Sequence, residues 1–425
     1  MHSLTTHDLN LRGADQRTNQ ADDSHFARQR LRRLALVVLA LCPLLVAGAS
    51  QVVHALAYQD SDFSNFWLAA RMQWTNQDPY SPTEWIAARQ QLAAEWLPED
   101  IYTYPLPLAL LQAPLGLLPL DQAYIVWMAF SAVMLGVTLC LIVFLDWRPA
   151  TKHYLFPLIA GLVLFRPVWV TLRNGQVSGL MLFDVRLVVI CWEERRSWLG
   201  GLLLALLGLK PTLGLPLLIL VTVWLVVRRH WRAVGGLVLG GGLLLLVAQI
   251  QNPRWIMALL GIGSNKLAVT IGYSPTLWGL AGTLCGHLPG CSLIGGGLAV
   301  ALLVGLAIFL AYARPARQPM QMFCLYIPLA LLIMPYDWAY DQVLLVIPLV
   351  YATMQFAYGG FKYLGTALVF ICVDILAIML LLAAVSTGED TLSAAIPLAV
   401  FCLAVWAWRV SVRTSAPSLA PVNQP

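Results

Sequence analysis

From Leu34 to the end of the chain, apolar runs recur with short polar breaks between them, and most approach the length of about 20 residues that a helix needs to cross a bilayer. Continuous runs of this kind predict helices. A transmembrane barrel would instead show segments of about 10 residues with alternating polarity. The pattern places spans near 34–57, 123–145, 154–171, 176–193, 199–209, 211–227, 233–250, 292–313, 321–335, 341–357, 362–385 and 393–411. The expected architecture is therefore an all-α, polytopic membrane protein with about twelve spans, its membrane domain covering 34–411.

The polar segments sort by charge. Residues 1–33 carry Arg28, Arg30, Arg32 and Arg33 just before the first run, which predicts a cytoplasmic tail without fixed structure. The C-terminal tail, 412–425, follows Arg409 and Arg413 and returns to the same side. Residues 58–120 form a long first loop on the opposite face. Trp67, Trp74, Trp85 and Trp96 are spaced through it as interfacial rings would be. Its end, 104–119, is apolar but short and rich in proline, which suits a re-entrant or interfacial element better than a span. The segment between Trp198 and Val227 fits as two short spans only if the chain breaks at Lys210-Pro211.

Composition agrees with this picture and narrows the function. Hydrophobic residues make up 59% of the chain and charged ones 11%, too few to solvate a water-soluble protein of this length. The formal charge of +5 comes from small basic clusters between apolar runs, which are topology signals and point to no nucleic-acid partner. Of the eight cysteines, only Cys285 and Cys291 share a loop, where a disulfide is an option if that loop lies outside. The histidines and cysteines show no metal-ligand spacing, so neither a metal nor another cofactor is expected.

Four constellations could carry chemistry. Asp60-Ser61-Asp62 precedes Phe66, Trp67 and Ala70 at helical spacing, so its carboxylates either cap a helix or serve as a general base at the membrane surface. Arg173-Asn174-Gly175-Gln176 is either a plain Asn-Gly turn with a snorkelling arginine, or a place where Arg173 binds phosphate and Gln176 bonds sugar or phosphate oxygens. Lys210 lies at a helix break inside an apolar region, where a cation needs an anionic partner such as a phosphate. Asp337-Trp338-Ala339-Tyr340-Asp341 sets carboxylates among aromatic rings, which are either belt residues or a sugar-binding surface. Asp184, Arg186 and Asp374 fall inside spans and read as a buried polar network.

Taken in order, these pieces resemble the polyprenyl-phosphate-sugar-dependent membrane glycosyltransferases of family 87, within the GT-C superfamily. The likeness rests on Asp62-Phe63 with Ala69-Ala70 and Asp78-Pro79-Tyr80, on Thr103-Tyr104-Pro105 with Ala113-Pro114-Leu115, on Pro167 through Gly175-Gln176, and on Leu209-Lys210-Pro211. The resemblance implies a GT-C-like fold with a long first exoplasmic loop and an inverting transfer with Asp62 as the base. It implies a donor phosphate at Arg173 and Lys210, and the sugar or acceptor at Tyr104, Gln176, Asp337 and Asp341. The implied partners are a polyprenyl-phosphate sugar, a glycolipid or glycan acceptor and membrane lipids, at the outer face of the plasma membrane. Mannose is the sugar the resemblance implies first, while Asp341, which stands where some members have histidine, leaves arabinose or another pentose or hexose open. A secondary transporter and a non-catalytic partner in envelope assembly are the competing functions.

Overall fold

The computed structural model describes residues 61–92, 101–142, 155–288, 290–313, 318–358 and 363–415. The tail 1–33, the expected span 34–57, Asp60 and Trp96 lie outside these residues. Among the described residues the protein is all helical, without strands.

The first-loop segment builds its own core. Helix α1 (Asp62–Met72), α2 (Pro82–Gln91) and α3 (Leu106–Gln112), with the 3-10 turn Ala113–Leu117, bury Phe63, Phe66, Trp67, Trp85, Tyr102 and Tyr124 together. Trp67 and Trp85 are therefore core residues rather than the expected interfacial belt. The Trp67 indole N–H donates to the Leu118 carbonyl at 3.0 Å, and half-exposed Arg71 donates to that of Gly116 at 3.2 Å. Outside lipid, each such large side chain contributes about 1.5–3 kcal/mol by leaving water. The proline-rich stretch 104–119 thus wraps α1.

Except for Trp255–Thr270, which packs on the first core, the remaining helices contribute to a second, larger one. In chain order they are α4 (Leu120–Leu141), α5 (Leu155–Leu164), α6 (Arg166–Arg173), α7 (Ser178–Glu193), α8 (Ser197–Leu204), α9 (Pro211–Val227), α10 (Trp231–Gln251), α11 (Trp255–Thr270), α12 (Leu277–Leu284), α13 (Cys291–Ala313), α14 (Pro319–Ile333), α15 (Val346–Tyr358), α16 (Tyr363–Thr387) and α17 (Ala395–Ser415). Among the described residues, four stretches are long and apolar enough to cross a membrane: Leu120–Leu141, Trp231–Gln251, Ala367–Thr387 and Thr391–Val410. Helices α6 and α7 pass the same test together but are bent by 118° at the turn between them. The other apolar helices are shorter.

Three features, one expected from the sequence and two not, bear on the site. The run 154–171 is broken at Phe165, where Pro167 starts α6 within its first turn. The chain does break at Lys210, whose φ of −132° and ψ of 83° are not helical. It then doubles back, because a Cβ on Gly214 would stand 1.8 Å from the Leu207 carbonyl oxygen. Finally, α11 and α12 occupy 255–284, where no element was expected. Helix α11 leans on the first-loop core through Ala258, Leu259 and Ile262, and Asn252 at its start donates to the Asp78 carboxylate at 2.9 Å.

Candidate active site

The sharp turn between α6 and α7 is where the site begins. Gly175 adopts φ +60° and lies so close to α1 that a Cβ there would be 2.6 Å from the Cβ of Phe63. Only glycine fits both conditions. The turn's carbonyls are then met by fixed donors: the Phe63 backbone N–H bonds Asn174 at 3.1 Å, the Trp127 indole bonds Gly175 at 2.6 Å, and the Tyr124 hydroxyl bonds Arg173. Asn-Gly therefore makes a turn as expected, and the turn locks α1 against α4 and α7.

With those elements fixed, four distant residues meet in one chain of contacts. Asp62 is the first residue of α1, where the partial positive charge of a helix N-terminus favours a carboxylate. Its Oδ2 accepts from Gln176 Nε2 at 2.5 Å. Gln176 Oε1 accepts from Lys210 Nζ at 3.1 Å. Lys210 Nζ in turn lies 2.5 Å from Asp341 Oδ1. The amide orientation of Gln176 follows from chemistry, since an ammonium only donates and a carboxylate only accepts. Tyr104 completes the cluster, its hydroxyl 3.4 Å from Gln176 Nε2 and its ring set edge-on to Phe66.

Lys210 is 2% exposed and Asp341 1%. A buried pair of this kind persists only with further hydrogen bonds, and Ser178 provides them by donating to Asp341 and accepting from Lys210 at 3.4 Å. The three ammonium hydrogens are thus matched to Asp341, Gln176 and Ser178, while the charge sits 4.5 Å from the centre of the Tyr340 ring. The anionic partner that Lys210 needs is supplied by the protein itself, and no N–H is left over for a phosphate. Sequence reasoning missed Ser178, though its place two residues after Gln176 at the start of α7 was a usable signal.

Asp337 is fully buried, and its Oδ1 accepts from the Trp338 backbone N–H at 2.7 Å. Burial first, and then the neighbouring charge of Asp341, holds its carboxyl well above the usual range. Burial, and then Asp62, likewise raise the Tyr104 phenol. Asp62, Tyr104 and Tyr336 are half-buried, while Gln176, Lys210, Ser178, Asp337 and Asp341 lie behind them. The cluster therefore presents one carboxylate to its mouth and keeps its only lysine inside.

Arg173 is not drawn in. Its side chain is exposed, and the fold uses its backbone carbonyl. Lys266 on α11 was not anticipated, yet its Nζ is 3.4 Å from the Thr103 hydroxyl, one residue from Tyr104. Of the buried spans' polar residues, Asp184 has no hydrogen-bond partner among the described residues at either carboxylate oxygen, and it lies outside this cluster. Cys285 and Cys291 are free thiols in contact with each other.

Comparison with known proteins supplies the family. The profile described as Glycosyltransferase family 87 matches residues 102–335, which take in Tyr104, Arg173, Gln176, Ser178, Lys210 and Lys266. No curated protein and no solved structure matches the chain. Asp62 and Asp341 stand on either side of the matched stretch, but both are bonded to residues inside it. The match covers more than half of the 425 residues, and with an all-helical fold of apolar helices around the cluster, the chain belongs to glycosyltransferase family 87 and is a membrane glycosyltransferase.

Proposed function

We propose that this protein transfers a sugar, mannose in the first instance, from a polyprenyl-phosphate donor to a lipid-linked or envelope glycan at the non-cytoplasmic face of the plasma membrane, with inversion at the anomeric carbon. The topology that accompanies this reading has about twelve spans. The observation that carries it is the half-buried Asp62 carboxylate, held by a buried lysine through one glutamine. A base must be ionised, oriented and reachable at the same time. Asp62 meets these demands at the surface of a bundle whose donor would keep its tail in lipid.

In the reaction, the acceptor hydroxyl gives its proton to Asp62 as its oxygen forms a bond to the anomeric carbon. The bond from that carbon to the phosphate oxygen breaks, and polyprenyl phosphate leaves with the electron pair. Attack opposite to the leaving group inverts the carbon. Arg173 and Lys266 are the cations placed to meet the phosphate, with Lys210 adding positive field from behind Gln176. Tyr104, whose phenol stays protonated, offers a hydrogen-bonding group to the sugar, and Asp337 and Asp341 shape the floor beneath it.

The test uses purified protein in nanodiscs with radiolabelled polyprenyl-phosphate-mannose and cell-envelope acceptors. Transfer by the wild type and its near-abolition in Asp62→Asn, at equal thermal stability, is the expected result. Equal transfer by both proteins would remove Asp62 from the mechanism. No transfer by either, across several donor sugars, would refute the reaction.

A further inference from the structure

Between helices α11, α12 and α13 lies a pocket of about 530 Å³, lined in part by Ser264, Gly272, Tyr273, Trp278, His287 and Ser292. We propose that this pocket is an acceptor subsite that binds a sugar unit beyond the one attacked, with the acceptor's lipid tail leaving over its apolar rim. The assignment to the acceptor rests on the transferase reaction proposed above; the assignment to a sugar rests on the pocket itself.

The chemistry of the walls selects the ligand. Tyr273 is 46% exposed, and its ring is stacked against His287 with centroids 4.7 Å apart. His287 holds a left-handed backbone, φ 57°, and its Nε2 faces the Glu389 carboxylate at 2.9 Å. Since a carboxylate only accepts, Nε2 carries the proton of that bond. The Thr283 hydroxyl lies 3.3 Å from the other oxygen of the same carboxylate and 2.9 Å from the Thr391 hydroxyl, so both Glu389 oxygens have a partner. The pocket thus combines an aromatic face with the hydroxyls of Ser264 and Ser292, while among the described residues neither lysine nor arginine lines it. That suits a neutral, polyhydroxylated ring and disfavours a phosphate. Its size falls within the range of about 300–1,000 Å³ usual for small-molecule sites.

Position joins the pocket to the reaction. Ser274, next to Tyr273, reaches the carbonyl of Pro335 at 3.5 Å, at the start of the loop that carries Tyr336 and Asp337. Lys266, two residues from Ser264, reaches Thr103 beside Tyr104. On the far side, Gln342 bonds the Ser393 carbonyl at 3.2 Å, so the turn that carries Glu389 shares an end of the bundle with Asp341. The rim then runs outward over Leu288 and Leu293, 64% and 70% exposed, which provides an apolar path for a lipid tail. A second sugar held here would leave its neighbour to reach Asp62.

The test is a binding titration in nanodiscs with butyl glycosides of mannobiose, maltose, cellobiose and lactose, run on wild type, Tyr273→Ala, Gly272→Ala and Asp62→Asn. A Cβ on Gly272 would lie 3.4 Å from Ser292 Oγ and 3.7 Å from His287 Nδ1, so that variant keeps ordinary contacts while filling the pocket. We expect at least one glycoside to bind wild type and Asp62→Asn equally, with affinity about tenfold weaker in Tyr273→Ala and Gly272→Ala, and acceptor KM about tenfold higher in both at unchanged donor KM. Binding that is absent for every glycoside, or unchanged in both pocket variants, overturns the proposal. So does binding that a butyl chain without sugar reproduces. Tight, pocket-dependent binding without any transfer would instead leave the subsite standing and sink the reaction, whereas transfer that ignores both pocket variants would do the reverse.

Discussion

Gln176→Glu tests how Asp62 is held. The new side chain has nearly the same shape. One of its oxygens keeps the place of Oε1 and continues to accept from Lys210, while the other replaces the Nε2 that now stands 2.5 Å from Asp62 Oδ2. A donated hydrogen bond becomes a contact between like charges. Two unit charges about 4 Å apart interact by about 4 kcal/mol at an effective dielectric near 20, and a pKa unit is about 1.36 kcal/mol. The upper bound is thus about three units, and because Asp62 is half-buried, water reduces it to about two. With Asp62 as the base proposed above, activity is lost as pH falls through its pKa, so raising that pKa moves the acid limb of kcat/KM up by about two units and leaves activity to recover in alkali. Gln176→Met, which removes both bonds without adding charge, should lower kcat by about ten- to hundredfold, with a smaller shift of the limb. The measurement is transfer from polyprenyl-phosphate-mannose between pH 5 and 9, with thermal unfolding as the check on folding. An acid limb that stays in place in a folded Gln176→Glu protein refutes the relay from Lys210 to Asp62.

Other outcomes follow from the same contacts. Lys210→Met leaves Asp341 buried without its cation and should cost about 3–5 kcal/mol of stability, whereas Lys210→Met with Asp341→Leu should recover most of it in thermal unfolding and still fail to transfer sugar. Gly175→Ala adds a Cβ against Phe63 at positive φ, and should cost about 1–3 kcal/mol together with most of the activity. Asp337 has a raised folded pKa against an unfolded value of about 3.9, so its contribution to stability is full below the unfolded value and is lost as pH rises through the folded one. Asp337→Asn should flatten that decline in Tm between acid and neutral pH. Arg173→Ala should raise donor KM by about tenfold and leave the folded state unchanged, because its side chain is exposed.

Much of the site was legible because its residues break local rules. A lysine before proline in an apolar run, a glycine after asparagine between two spans and a carboxylate at a helix start each stand out against their surroundings. Their partners do not. Lys210 and Asp341 are 131 residues apart, and local pattern carries no trace of such a pairing, so a phosphate was invoked for a charge that the fold itself compensates. Arg173 was singled out for its side chain alone, and the second use the fold makes of it, through its carbonyl, leaves no mark in the local pattern. Helix α11 escaped notice because 16 residues interrupted by Asn265 and Lys266 fall below the length and polarity of a span, and with it went Lys266. Trp67 and Trp85 looked like membrane anchors because composition cannot tell a ring at the headgroups from one in a small core.

The relay also fixes when the enzyme comes alive during its own synthesis. Asp62 leaves the ribosome early, but Gln176 lies 114 residues on, and Asp341 a further 131 beyond Lys210. Until the hairpin around Asp341 has inserted and docked, Lys210 lacks its counter-ion and cannot hold Gln176 toward the base. If Asp62 is the base proposed above, a nascent chain with only its first helices in the bilayer cannot transfer sugar, and competence arrives in one late step, once the segment carrying Asp341 is in place.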